Sequence, residues 1–261
     1  MTAAMAGEWL PMVALSMLRP LGAMLLVPVF STGTLGGTLA RNALVLAISL
    51  PVLALHDLWP AVDGARSWAA YLWLACGELS IGLVIGFCAA VPFWALDMAG
   101  FLIDTMRGAS MASVLNPLLG QQSSMMGIVF SQVFSLLFMM FGGFHALLEA
   151  LYASYLTLPP GAAFRFRPAA LDFLGQQWQL MYTLCLRFAM PAIVAILLVD
   201  MALGLVNRSA QQLNVFFVAM PIKSAFALLM MIICANFAFQ LPLSESLRLV
   251  EHAAALTNRL R

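Results

Sequence analysis

The longest uncharged stretch of the sequence lies between Arg107 and Glu149, where no Asp, Glu, Lys or Arg occurs. An apolar helix of about 20 residues is long enough to cross the hydrocarbon core of a bilayer. The rest of the chain follows the same trend, because 63% of its residues are hydrophobic and 9% are charged. Soluble domains carry roughly 25% charged residues. The sequence therefore predicts an all-α integral membrane protein.

Six apolar segments follow one another, at about residues 9–30, 43–59, 68–96, 125–156, 179–206 and 213–239. Prolines and ionisable residues interrupt them, and a proline removes a backbone hydrogen-bond donor from its helix. Backbone groups that lose their partner within a membrane must be satisfied by neighbouring protein. We therefore expect about six helices, some broken or kinked, that pack largely against protein.

The C-terminal tail, residues 244–261, is amphipathic. Leu247, Val250, Ala254 and Leu256 recur at helical spacing among charged residues, which predicts a helix with one apolar face. We expect this helix to lie on the surface, where it could meet a partner.

A polar group separates the last two apolar segments. Its members are Arg208, Gln211, Gln212, Asn214, Pro221 and Lys223. Ionisable groups at membrane depth are costly, so they face protein, a water-filled cavity or a partner. Pro221 predicts a break or bend of the helix two residues before Lys223, which is the only lysine of the chain. The sequence leaves open whether these side chains face the same chain, a cavity or a partner chain.

A second polar group begins with Asp97, Asp104 and Arg107. A continuing helix places both carboxylates on one face, and residues three apart, such as Asp104 and Arg107, can pair. This pair is either a structural ion pair at a helix end or part of a functional site. The uncharged segment that follows includes Gly108, Ser110, Met111, Asn116, Pro117 and Gln121. Long loops are usually functional or buried, so this one either lines or blocks a pore or forms a re-entrant surface loop.

Further polar and small residues lie inside the apolar segments. They are Glu78, Gly82, Gly86, Arg187 and Asp200. Glu78 suits either a helix start, where the helix dipole favours negative charge, or an intramembrane contact. Gly82 and Gly86 allow close helix packing, within the chain or between subunits. Arg187 and Asp200 lie too far apart to pair as helical neighbours, so each needs a partner elsewhere.

No motif of a catalytic, cofactor-binding or metal-binding site occurs in the sequence. No basic cluster indicates nucleic-acid binding. Broken helices with intramembrane charges also fit a secondary transporter or channel for a small solute or ion, and a purely structural scaffold is a further alternative.

The polar blocks together resemble the R/T family of type III export apparatus proteins, which comprises the flagellar R protein (FliR) and the injectisome T subunit (SctT). In chain order, the matching blocks are GELSIG at 77–82 with Gly86; Ala99-Gly100 with Asp104; Arg107-Gly108; Asn116-Pro117; Tyr155 with Pro159; LGL at 203–205; and Asn207-Arg208, QLNVF at 212–216 and PIKS at 221–224. Arg107-Gly108 and the PIKS block resemble the injectisome branch more than the flagellar one.

The resemblance implies a non-enzymatic subunit of the bacterial inner membrane, within the secretion system basal body. It implies R-type and S-type subunits as partners in a helical export gate, with a U-type switch protein and a V-type export protein nearby. The gate passes unfolded secreted polypeptides. The resemblance also implies an R-like part at residues 1–178 fused to an S-like hairpin at 179–240, with segment 107–124 as the channel plug and helices raised above the bilayer.

Overall fold

A computed structural model of the protein describes residues 3–54, 68–109, 124–160, 168–209 and 215–260. These residues form α-helices, with one short 3-10 helix, Pro28–Phe30. The α-helices are α1 Ala3–Leu26, α2 Thr38–Leu53, α3 Trp68–Met106, α4 Met125–Met140, α5 Gly143–Thr157, α6 Pro168–Ser209, α7 Val215–Leu247 and α8 Leu249–Leu260. The expected all-α class is confirmed.

Three of the described helices are long and apolar enough to cross a membrane, namely α3, α6 and α7. The pair α4 and α5 passes the same test as one span bent by 68°, which raises the total to four. The described apolar part of α1, Pro11–Leu26, and the whole of α2 are shorter. A polytopic membrane protein is therefore confirmed, whereas six helical crossings remain a prediction.

The prolines do not break the helices that contain them. Pro221 lies inside α7, as Pro92 lies inside α3 and Pro191 inside α6. The expected break at Pro221 is wrong, because one lost hydrogen bond near the start of a 33-residue helix leaves most of its backbone bonds intact. The fourth apolar segment instead breaks at Gly142, whose φ of 88° is readily adopted only by glycine.

The described residues fall into two compact units. Unit 1 takes in those within 1–91, 138–178 and 245–261, and unit 2 those within 92–137 and 179–244. Unit 2 is built around phenylalanines: the ring centroids of Phe130 and Phe239 lie 5.0 and 5.1 Å from that of Phe188, edge to face. Such pairs add about 0.5–1.5 kcal/mol beyond the area they bury. The expected R-like and S-like division stays a prediction.

The core of unit 1 depends on close contact between α1 and α3. A Cβ atom added at Gly82 would meet the backbone of Arg19, and one added at Gly86 would meet the backbone of Ala23. On the other helix, a Cβ at Gly22 would meet the backbone at Leu79. The two helices therefore cross with their backbones touching, as small residues at four-residue spacing permit.

The C-terminal helix α8 packs against α5 of its own chain, within unit 1. Its buried residues include Leu249 and Ala253, whereas Leu247 and Ala254 are exposed. Of the apolar residues expected on one face, Val250 is half-buried and the side chain of Leu256 lies outside the described ones. The expected apolar face therefore stays a prediction. Most of the tail's described part is a docked element rather than an unattached surface helix.

Candidate functional site

The carboxylate of Asp104 joins the two described ends of segment 107–124. Its Oδ2 accepts hydrogen bonds from the Ser124 hydroxyl at 2.8 Å and from the Met126 backbone N–H at 3.1 Å. Asp104 lies near the end of α3 and Met126 near the start of α4. A carboxylate at a helix N-terminus is favourable, because the unpaired N–H groups there carry partial positive charge. We call Asp104, Arg107 and Ser124 the loop base.

Arg107 supplies the positive charge of the loop base. Its Nη2 lies 2.7 Å from Asp104 Oδ1, and both side chains are largely buried. The pair is a close ionic contact rather than an aligned hydrogen bond, since no hydrogen bond to that oxygen is formed by the described residues. Arg107 Nε likewise has no hydrogen-bond partner in this part of the chain. The pairing of residues three apart agrees with the sequence prediction, but the network around it is only partly satisfied.

Both helix ends at the loop base are capped. At the end of α3, the N–H of Gly108 bonds to the carbonyl of Thr105 and that of Ala109 to the carbonyl of Asp104. Gly108 has a φ of 84°, so these bonds form a Schellman cap with glycine in the left-handed conformation. At the start of α4, the Ser124 hydroxyl accepts a bond of 2.8 Å from the Gly127 N–H, as an N-cap residue does.

The loop base has the chemistry of an anchor. Its bonds fix where α3 ends and where α4 begins. The expected plug residues Ser110, Met111, Asn116, Pro117 and Gln121 lie outside the described residues, so the plug role stays a prediction.

Asp97 lies on α3 two turns before Asp104 and is exposed. It borders a cavity of about 670 Å³ whose lining residues come from α3, α4 and α6 of unit 2. A Cβ atom added at Gly127 would meet its Oδ1 and its backbone oxygen, so the residue lies close against α4. No lysine, arginine or histidine of the described ranges forms an ion pair with Asp97.

Lys223 forms an ion pair with Asp200, with 2.5 Å between Nζ and Oδ1. Asp200 is on α6 and Lys223 on α7, so the charge of the lysine is compensated within the chain. Arg208 is exposed near the end of α6, and Pro221 is exposed on α7. Gln211, Gln212 and Asn214 lie outside the described residues. Contacts of this group with other subunits stay a prediction.

The most completely buried ion pair joins Arg19 of α1 to Glu78 of α3. Arg19 Nε lies 2.5 Å from Glu78 Oε2, and Nη2 lies 3.0 Å from Oε1. The guanidinium also donates to the Ser154 hydroxyl and to the Leu158 carbonyl, and lies over the Tyr155 ring. Glu78 therefore makes a buried contact inside α3, and a position at a helix start is wrong because α3 begins ten residues earlier, at Trp68. That this contact lies within the membrane stays a prediction.

Sequence reasoning missed Arg19 as the partner of Glu78. An arginine within the first apolar segment is a usable signal, because a charge at membrane depth requires compensation. The partners lie 59 positions apart in the sequence, which exceeds the reach of any helical spacing rule. Arg187, by contrast, is exposed on α6, and no described carboxylate forms an ion pair with it.

Comparison with known proteins gives the family. The profile of the family described as bacterial export proteins, family 1, matches residues 10–247 of the chain. The chain belongs to this family. The resemblance to the R/T export apparatus proteins is thereby confirmed.

Relatives of this family 1 export protein include both secretion and flagellar proteins. Secretion system apparatus protein SsaT of Salmonella typhimurium is 43% identical over 92% of each chain. Yop proteins translocation protein T of Yersinia pestis is 38% identical over 85% of this chain and 86% of its own. Flagellar biosynthetic protein FliR of Bacillus subtilis is 34% identical over 65% of this chain and 66% of its own. The higher identities to the secretion and translocation proteins agree with the expected injectisome T subunit.

Proposed function

We propose that this family 1 export protein is a multi-pass inner-membrane subunit of a type III secretion export apparatus, within the basal body. It helps to form and close the channel through which unfolded polypeptides leave the cytoplasm. Family membership over residues 10–247 and the identity to SsaT and to translocation protein T support the apparatus. The apolar helices support the membrane location.

The observation that supports the closing role is the set of hydrogen bonds to Asp104 in the loop base. One carboxylate holds the end of α3 and the start of α4 through Ser124 and the Met126 N–H. Residues 108–123 carry no charge, so they have no ionic means of holding a passing chain. Fixed ends and an uncharged middle suit a channel plug that must seal without binding its substrates.

The partners we propose are R-type and S-type subunits within the gate, with a U-type switch protein and a V-type export protein beside it. We infer that the subunit has no enzymatic activity and that the energy for export comes from other proteins. The lengths of α3 and α6, 39 and 42 residues, support such an assembly. At about 1.5 Å per residue they exceed a hydrocarbon core of about 30 Å nearly twofold, so other protein must cover the excess apolar surface.

The loop base offers a direct test of the plug. We expect two loop-base variants, Ser124→Ala and the double variant Asp104→Ala, Arg107→Met, to leave assembly intact and to make the membrane leak small ions. The double variant leaves no unpaired buried charge behind. A hydrogen bond to a charged group is worth about 1.5–3 kcal/mol, so its loss lowers the closed population about tenfold or more. Ion conductance of membranes that contain the whole complex measures the leak. Thr105→Ala is the matched control, since the Thr105 hydroxyl donates to the Phe101 carbonyl of its own helix and to no other described residue.

Two outcomes would contradict the proposal at different levels. If both loop-base variants assembled normally and their membranes did not leak ions, the proposed role in closing the channel would be wrong. A native chain that purifies alone, without other apparatus subunits, and binds a small solute would remove the apparatus itself and favour the secondary transporter.

A further inference from the structure

The glycine that closes the end of α3 is covered by one side chain of α7. Gly108 has a φ of 84°. Outside the adjoining residues, the three atoms nearest to a Cβ atom built at Gly108 all belong to Met220: Cγ and Cε at 3.6 Å and Sδ at 4.0 Å. Carbon atoms attract one another best at about 3.5–4.0 Å, so the methionine packs on the open side of the glycine without strain. Both residues belong to unit 2.

The cap at this end of α3 consists of two hydrogen bonds. The Gly108 N–H bonds to the Thr105 carbonyl at 3.1 Å, and the Ala109 N–H bonds to the Asp104 carbonyl at 2.9 Å. A cap of this kind satisfies carbonyl groups that a helix end leaves unpaired, and an apolar contact commonly accompanies it. Met220 supplies an apolar contact to this cap from another helix.

The start of α7 is itself held by α6. Met220 and Lys223 lie three positions apart on α7, so their side chains are neighbours on the helix surface. Lys223 Nζ lies 2.5 Å from Asp200 Oδ1 on α6. The same part of α7 therefore contacts α6 through an ion pair and the cap of α3 through a methionine.

Met220 adds a third helix to the junction at the loop base. Asp104 already ties the end of α3 to the start of α4 through Ser124 and the Met126 N–H. Those bonds fix α3 relative to α4, whereas the contact at Gly108 fixes it relative to α7. A methionine side chain is flexible and polarizable, so it can keep this contact through small shifts of the helices.

We propose that Met220 is a positioning residue for the loop base. It holds the cap of α3 against α7, and the Asp200–Lys223 pair holds α7 in place for this contact. The inference deepens the proposed function and rests on it, because it concerns how the first end of the plug is held. Withdrawal of α7 from Gly108 loosens that end, so the hairpin of α6 and α7 regulates closure of the channel.

Hydrogen exchange of the full chain, purified in detergent with its apparatus subunits, measures this cap directly. Mass spectrometry of the peptide that contains Gly108 and Ala109 follows the two capping N–H groups. We expect Met220→Ala to speed their exchange about five- to tenfold, because truncating a packed side chain favours local opening. Met220→Leu should exchange at the native rate, since leucine and methionine have similar volumes.

Met230→Ala is the matched control on the same helix. Met230 is half-buried like Met220, but it lines an apolar cavity between α6 and α7. It lies about 15 Å further along the helix, at about 1.5 Å per residue. This control should leave the exchange of the α3 cap unchanged. If Met230→Ala and Met220→Ala speed that exchange equally, the cause is a general loss of stability, and the positioning role is wrong.

A double-mutant cycle tests the contribution of the ion pair. Asp200→Asn and Lys223→Gln together remove both charges and should speed the same exchange in the native chain. In the Met220→Ala chain they should add nothing, because the pair acts through the methionine and coupled residues are not additive. An equal added effect in both chains would overturn the link from α6 to the cap.

Ion conductance separates failure of this inference from failure of the proposed function. In membranes that contain the whole complex, Met220→Ala should leak small ions as Ser124→Ala does, and Met220→Leu should not. Native exchange in Met220→Ala, or a leak in Ser124→Ala alone, would overturn the inference and leave the plug in place. Faster exchange in Met220→Ala without a leak in any variant would support the contact at the cap and overturn the proposed closing role.

Discussion

Unit 1 and unit 2 each contain an arginine–carboxylate pair, and the two pairs are completed differently. Arg19 is 0% exposed and finds two carboxylate oxygens, a hydroxyl, a carbonyl and an aromatic ring within unit 1. Arg107 finds one oxygen of Asp104, and its Nε has no hydrogen-bond partner among the described residues. The Arg19–Glu78 pair is therefore satisfied within unit 1, whereas the Asp104–Arg107 pair of unit 2 is satisfied only in part. Elsewhere in unit 1, Arg41 Nε and Gln177 Oε1 also have no hydrogen-bond partner among the described residues.

The difference suits different roles for the two units. A buried ion pair resists change because removing one partner leaves an uncompensated charge, which suits the element that holds α1, α3 and α5 in place. Partly satisfied groups at Asp97, Arg107 and Arg187 suit a surface that other subunits complete. If unit 1 is held together by its own contacts, disrupting them should lower the stability of the chain. The contacts below follow in order of the expected loss.

The largest effect is expected at the Arg19–Glu78 pair. Glu78→Leu should lower the free energy of unfolding by about 3–5 kcal/mol, because the arginine is left buried and charged. The double variant Arg19→Met, Glu78→Leu should regain most of that loss, since apolar side chains of similar volume can replace a buried pair. Denaturant unfolding of the detergent-purified native chain, the single variant and the double variant measures the three free energies of unfolding.

Glu149→Gln is the control for this comparison, because Glu149 is an exposed carboxylate on α5. Its effect should stay within about 0.5 kcal/mol, as for most surface changes. If Glu78→Leu proved as stable as the parent chain, the buried pair would not be what holds unit 1 together.

A smaller effect is expected where α1 and α3 touch. Gly82→Ala places a methyl group against the Arg19 backbone, and overpacking of this kind costs about 1–3 kcal/mol. Gly77→Ala is the matched control on the same helix, where a Cβ atom meets nothing within 4 Å. It should be neutral or stabilising by up to about 1 kcal/mol, because alanine favours helix more than glycine does. Equal thermal unfolding temperatures for the two variants would contradict the close crossing.

Local rules predicted the parts of this protein that depend on neighbours in sequence. Asp104 and Arg107 pair because three-residue spacing brings them together on any helix. Helix breaks were harder to predict, since Pro221 is tolerated inside α7 while Gly142, an uncharged residue in an apolar segment, marks the bend. A proline shows which donor is lost, but whether the helix continues depends on what surrounds it.

Contacts that depend on the tertiary fold could not be predicted from spacing. The sequence marks both Arg19 and Glu78 as costly at membrane depth, yet only the crossing at Gly82 places one beside the other. The same limit applies to α8, where Leu249 and Ala253 are buried because α5 covers that side. Periodicity gave the helix correctly, but it could not identify which of several apolar stripes would be covered.

The smallest effect, and the only one tied to pH, is expected at His252 of α8. Its Nδ1 lies 3.0 Å from Gln177 Nε2, and Phe173 packs edge-on against its ring. Burial lowers the pKa of His252 below its ordinary value of 6.5, and Arg248 acts in the same direction, while Glu245 and Glu251 oppose them. The neutral ring suits this site, because its Nδ1 can then accept a hydrogen bond from the Gln177 amide.

Because the folded chain binds this proton less readily than the unfolded chain, His252 should make stability fall as the pH drops through about 6.5 and level off below the folded-state pKa. Thermal unfolding between about pH 7.5 and pH 5 should show the fall in the native chain. His252→Gln should remove that part of the slope, since an amide can still bond to Gln177 and does not titrate. His145→Gln, at an exposed position of α5, should leave the slope unchanged. An identical slope in the native and His252→Gln chains would show that α8 stays packed on unit 1 whatever the charge of this ring. The contacts of unit 1 would then hold its C-terminal helix without help from the neutral histidine.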